Sequence, residues 1–145
     1  MRLMVVLDLP ADPASVPLAR HVAGAALLRA GVSTDCVDEL AIAAGEALSH
    51  AYRHSGRGEG FQVIMRMAED VVSIDVLAET ASMAGRSPPR SAKLPSYGSL
   101  SGALMAAFTD RVAFGRTDGD IASVHLSRRV DWAHGAPLRE PSSAV

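Results

Sequence analysis

Residues Leu3 to Leu9 are aliphatic except for Asp8 and stop at Pro10, the pattern of a short β-strand. Turn chemistry follows in ADPASVP. Beyond Pro17, apolar residues recur at helical spacing at Leu18, Val22, Ala25, Ala26 and Leu28, and Gly31 stands where a helix C-cap calls for a positive φ. A second, longer helix is predicted from Thr34 to His54. Ser33 or Thr34 can cap it, Asp35, Asp38 and Glu39 crowd its positive end, and Val37, Leu40, Ala41, Ala44, Leu48 and Ala51 form its apolar stripe. The glycines of SGRGEG end it.

From Gly60 the period changes to two. FQVIMRM and VVSIDVL, linked through Ala68-Glu69-Asp70, read as an antiparallel hairpin. The pattern then fails from Ala78 to Tyr97, about twenty residues rich in Ser, Pro, Gly and Ala, and a loop of that length is usually functional or mobile. Leu100, Leu104, Ala107 and Phe108 restore helical spacing. RVAFGR and IASVHLS, joined by Thr117-Asp118-Gly119-Asp120, make a second hairpin with a strong Asp-Gly turn signal. Periodicity is lost after residue 128, so one domain over 1–128 and a flexible tail over 129–145 are expected, with Trp132 the one residue placed to dock the tail. Paired strands and grouped helices in this order predict an α+β two-layer sandwich, a mixed sheet of four to five strands with helices on one face.

Composition narrows the class. A chain of 145 residues buries roughly 70% of its unfolded surface in one core. With only 4% aromatic residues, Ala, Val, Leu and Met must fill that core. A net charge of −2 creates no field to gather nucleic acid or anionic lipid, so direct DNA binding is not expected. The N-terminal apolar run is too short for a signal peptide or a membrane span, and a cytoplasmic protein is expected. The single Cys36 follows Asp35, and a neighbouring carboxylate disfavours a thiolate, so it reads as a buried structural thiol.

Candidate chemistry concentrates on the long helix, where Glu46, His50 and His54 fall at i, i+4 and i+8 on one stripe. Such a stripe can hold a metal if His21 or His125 approaches as a further ligand, or can serve proton transfer. The plainer reading is a helix carboxylate paired with Arg53 or His50, and a His54 favoured by the negative helix end. Arg86, Arg90 and Lys93 in the long loop either keep it solvated or neutralise a ligand's phosphates.

The segment LARHVAGAALLRAGVSTDCVDELAIAAGEALSHAYRH, centred on Glu46-Ala47-Leu48-Ser49-His50-Ala51, resembles the N-terminal half of anti-sigma regulatory factors of the RsbW and SpoIIAB type. Those are serine kinases with the histidine-kinase-like (GHKL) ATPase fold. DRVAFGRTDGDIASVHL resembles their closing hairpin, and the similarity in order and length runs from residue 3 to 128. The resemblance implies a pocket between helices and lid, with Glu46 as the general base. It puts His50 where the family has an Mg²⁺-holding Asn, and Ala78 where it has the Asp that recognises adenine. Thr80 and Ser82 replace two glycines, and Gly98 and Gly102 are what remains of a later glycine-rich phosphate segment.

These departures have physical consequences. Mg²⁺ prefers oxygen to a ring nitrogen. An adenine donor left without a partner costs about 1–3 kcal/mol, and side chains in place of glycine deny the backbone a close approach. His50, Ala78, Thr80, Ser82, Gly98 and Gly102 therefore make a degenerate nucleotide pocket, in which ATP and Mg²⁺ are not expected and no metal ligand is assigned. By the resemblance, the chain is an anti-sigma factor that sequesters an alternative sigma factor and is released by an anti-anti-sigma partner, with little or no kinase activity. It is expected to be a homodimer, with Arg20 and Arg29 of the first helix as candidate partner contacts. The alternative is an active ATP-dependent serine kinase acting on the anti-anti-sigma protein, with Glu46 vestigial in the first reading and working in the second.

Overall fold

A computed structural model of the chain describes residues 2–54, 60–79, 100–117 and 121–135, the side chains at 53, 54, 79, 116, 117, 121 and 122 aside. Among these residues the order is β1 (Arg2–Leu9), α1 (Ser15–Ala30), α2 (Thr34–His54), β2 (Phe61–Ala68), β3 (Val71–Glu79), α3 (Leu100–Phe108), β4 (Arg111–Thr117) and β5 (Ile121–Arg129). The strands form one five-stranded sheet, β1-β2-β3-β5-β4, and the helices pack on one of its faces. The α+β two-layer sandwich is as the pattern predicts.

The mixed sheet is corrected to one in which every neighbouring pair is antiparallel. Connectivity explains it. Two helices separate β1 from β2, and since each reverses the chain, the pair returns it antiparallel to β1. One helix separates β3 from β4, so these two run in the same direction, but β5 doubles back from β4 and lies between them, antiparallel to both.

Local chemistry sets the helix ends. Gly31 adopts φ 99° and its N–H reaches the carbonyls of Leu27 and Leu28, closing α1. Ser33 caps α2, its Oγ accepting from the Cys36 N–H at 3.4 Å. Between β2 and β3, only Glu69 and Asp70 form the turn, and Glu69 takes φ 54° to make it.

α2 is the central helix, in contact with α1, α3, β3 and β5. Val37, Leu40, Ala44, Leu48 and Ala51 of its expected stripe are buried, as is Cys36. The stripe expected on α1 is corrected. Ala19, Ala23, Leu27 and Ala30 are buried while Leu18 and Leu28 are exposed, because the small side chains let α1 lie close against α2. On α3, Leu100 is 79% exposed and Met105, not in the expected stripe, is fully buried.

Arg128 on the inner face of β5 ties the layers together. Its guanidinium bonds to Glu39 of α2, to the Phe108 carbonyl at 3.3 Å and to Asp131 at 3.4 Å. Past β5 the chain stays attached. Ser33 N–H donates to the Asp131 carbonyl and Ala133 N–H to the Gly31 carbonyl, each at 2.7 Å, while Trp132 Nε1 donates to Asp70 Oδ1 at 2.7 Å. The tail expected from residue 129 is thus joined to the body as far as Ala133, with Trp132 docked, and 136–145 lie outside the described residues.

Candidate functional site

The helical period of α2 sets Glu46 and His50 one turn apart on the side that meets α3 and β4. Glu46 is half-buried, and Ser101, in the first turn of α3, donates its hydroxyl to Glu46 Oε2 at 2.7 Å. This is a normal O–H···O hydrogen-bond length. His50 is only 5% exposed, and its ring meets the edge of Phe114 on β4, with centroids 5.9 Å apart and planes at 67°. Gly102 is buried on α3 beside Ser101.

Ala78 lies on the inner face of β3, fully buried in register between Phe61 and Ala122. No carboxylate stands at that position. Arg20 of α1 extends across α2 over Gly45, where an added Cβ would meet its Cδ at 3.3 Å, and Arg29 is exposed in the last turn of α1.

The structure therefore brings Glu46, His50 and Gly102 to the junction of α2, α3 and β4. Thr80, Ser82 and Gly98, with Arg86, Arg90 and Lys93, lie outside the described residues, and the same holds for the side chains of Arg53 and His54. The suggestion that His125 approaches the stripe is corrected. Strand alternation puts His125 on the face of the sheet away from the helices, its Nδ1 2.6 Å from Asp75 Oδ1, with Arg66 3.7 Å from the same carboxylate. His21 is exposed on α1, and among the described residues no three His, Cys, Asp or Glu side chains group as metal ligands.

Sequence reasoning overlooked Ser101. In Gly98-Ser99-Leu100-Ser101-Gly102 the resemblance singles out the two glycines and not the serine between them that bonds to Glu46. The available signal was a hydroxyl at the start of a helix that has to pack against the helix bearing Glu46. Chemically, a carboxylate accepting a serine proton can orient and activate that hydroxyl, or simply tie two helices. A groove of about 300 Å³ lined by Thr109, Asp110 and Arg111 lies at the opposite end of α3 and contains none of the site residues.

Comparison with known proteins agrees with the architecture. The family model of the histidine kinase-like ATPase domain matches residues 9–127. No curated protein matches the sequence at a significant level. Among solved structures, the RsbU and RsbW domains of Rv1364c from Mycobacterium tuberculosis superpose with a TM-score of 0.66 at 15% identity, over 97% of this chain and 35% of that one. At that identity the likeness is one of fold, and this chain spans about a third of that protein's length.

Proposed function

We propose, from the premise that this chain belongs to the histidine kinase-like ATPase domain family, that it acts as an anti-sigma factor in which the kinase-like fold serves as a protein-binding scaffold. It holds an alternative sigma factor and gives it up to an anti-anti-sigma partner, as a cytoplasmic homodimer with little or no phosphoryl transfer. The fold it shares with an RsbW-containing structure supports this reading, as does its resemblance to the anti-sigma regulators. Among the described residues no helix is long and apolar enough to cross a membrane. Arg20 and Arg29, beside the exposed Leu18 and Leu28 of α1, are the contacts assigned to the partner.

One observation carries the scaffold reading: on β3 the buried Ala78 stands where the resemblance calls for an adenine-binding carboxylate. The residues of the site fit MgATP poorly. A buried imidazole whose ring lies edge-on to Phe114 stands in place of an oxygen ligand, and a buried methyl group in place of an adenine-binding carboxylate. The expected outcome with labelled ATP and Mg²⁺ is no saturable binding in the micromolar range, and such binding would sink the scaffold-only reading. Capture from the native organism followed by mass spectrometry is expected to recover a sigma factor or a small antagonist protein. Recovery of neither defeats the anti-sigma assignment.

The contact between Ser101 and Glu46 favours a second reading. A carboxylate 2.7 Å from a serine hydroxyl is arranged as a general base would be, so an ATP-dependent serine kinase acting on the anti-anti-sigma protein is the alternative. Transfer of labelled phosphate to that protein, abolished by Glu46→Gln, selects it.

A further inference from the structure

We infer that one corner of the sheet face turned away from the helices binds the phosphate of a small phosphate monoester. The site is built from Arg111 of β4 with Ser127 and Arg129 of β5, and is bordered by Ser73 of β3. It lies apart from the Glu46 site and from the partner contacts on α1, and holds whichever of the two preceding readings applies.

Register brings these residues together. Ser127 lies opposite Arg111 on one side and opposite Ser73 on the other, and Arg129 is the next residue of β5 on the same face. Arg111 and Arg129 are therefore diagonal neighbours, about 7–8 Å apart. Both arginines are exposed and both serines half-buried, so the hydroxyls form the floor between two guanidinium groups.

Two like charges at that spacing repel, and no carboxylate among the described residues comes within ion-pair distance of either. The nearest acid in sequence, Asp110, instead accepts the backbone N–H of Arg129 at 2.6 Å. In the neighbouring row Asp75 is held by His125 at 2.6 Å and by Arg66 at 3.7 Å. The hydroxyls of Ser73 and Ser127 likewise have no hydrogen-bond partner among the described residues. What this corner lacks is an anion. A phosphate monoester carries a charge of about −1.5 to −2 at pH 7 and three acceptor oxygens, enough for two guanidinium forks and a hydroxyl between them. A carboxylate brings one charge and two oxygens, and would leave one arginine uncompensated. A long polyanion fits poorly, because the exposed Glu69, Asp70, Asp110 and Asp131 rim this end of the sheet and the chain as a whole carries −2. A single phosphate on a compact molecule avoids that rim.

Titration of the isotope-labelled full chain with glycerol phosphate, followed by NMR, tests the proposal. Saturable shifts are expected at the amides of Ser73, Arg111, Ser127 and Arg129, with a Kd in the millimolar range or below. Glycerol, or sodium chloride at equal ionic strength, should not reproduce them. Arg111→Gln and Arg129→Gln should each weaken binding about tenfold, as the loss of a charge-assisted contact implies, with the circular dichroism spectrum unchanged. Arg29→Gln on α1 should leave binding as it is. With the full chain in use, residues 80–99 and 136–145 are present to compete for the two arginines, and a site they filled would show no saturable shift. That result, or binding that survives both substitutions, overturns the site. Binding of a single-stranded oligonucleotide at these amides without binding of glycerol phosphate overturns the assignment to a small monoester.

Discussion

A guanidinium at the seam between helices and sheet must keep its charge solvated by protein, and Arg128 does so through Glu39, Asp131 and the Phe108 carbonyl. Burial works against its charged form, but the hydrogen bond to Glu39 and the nearby carboxylates outweigh it and hold its pKa above the usual arginine range. A raised value in the folded state means that this contribution is fully present below the unfolded pKa and is lost only as pH rises through the folded one, in strong alkali. Arg128→Ala is therefore expected to cost about 1.5–3 kcal/mol in urea unfolding, unchanged across neutral pH as far as the guanidinium itself is concerned. A cost that vanishes at neutral pH would contradict the role.

At Ser101 the expected loss is smaller, because the bond to Glu46 is only partly shielded: Ser101→Ala should destabilise by about 1–2 kcal/mol. In a double-mutant cycle with Glu46→Ala, most of that cost should disappear. Additive costs would mean that the two residues do not act through each other. Glu46 and His50 could be placed on one stripe from spacing, since the helical period is a local property. Their partners Ser101 and Phe114 could not, since each arrives from a different element more than fifty positions away.

Among the elements, the β2–β3 turn is tight for its residues. Glu69 holds φ 54°, a region that costs a residue with a Cβ about 1–2 kcal/mol. Glycine is released from that cost but loses roughly 0.5–1 kcal/mol in chain entropy, so Glu69→Gly is expected to stabilise by up to about 1 kcal/mol, read as a rise in Tm. A fall in Tm would show that the Glu69 side chain contributes more than its backbone costs. The hairpin itself was plain from alternation, and α2 from its period and cap. The buried face of α1 was not. Spacing alone points to Leu18, Val22, Ala25, Ala26 and Leu28, whereas the helix buries Ala19, Ala23, Leu27 and Ala30, and in an alanine-rich helix a pattern of apolar positions fits either face. Sheet direction likewise depended on counting helices between strands, which alternation within a strand does not reveal.

At the level of the whole molecule, one stretch joins both turns that lie far apart in sequence. Trp132 reaches Asp70 in the β2–β3 turn, while its neighbours Asp131 and Ala133 bond to Ser33 and Gly31 between α1 and α2. Trp132→Ala should cost about 2 kcal/mol, below the 3–5 kcal/mol of a fully buried aromatic, because the ring is half-exposed. Hydrogen exchange should then quicken at Ser33 and Ala133 together. Faster exchange at only one of these amides would mean that the stretch does not act as one strap.

The place of β5 has a consequence for biosynthesis. The ribosome delivers β1, β2, β3 and β4 before the strand that has to lie between β3 and β4. At about 5–20 residues per second, β4 is complete for roughly a second before β5 follows, and in that interval β3 has an open side. Translation halted between β4 and β5 yields a product in which β1, β2 and β3 can pair but β3 and β4 lack the strand that joins them, and the open edge of β3 invites aggregation or a chaperone. The nascent chain completes its sheet only when this fourth strand in the order is made.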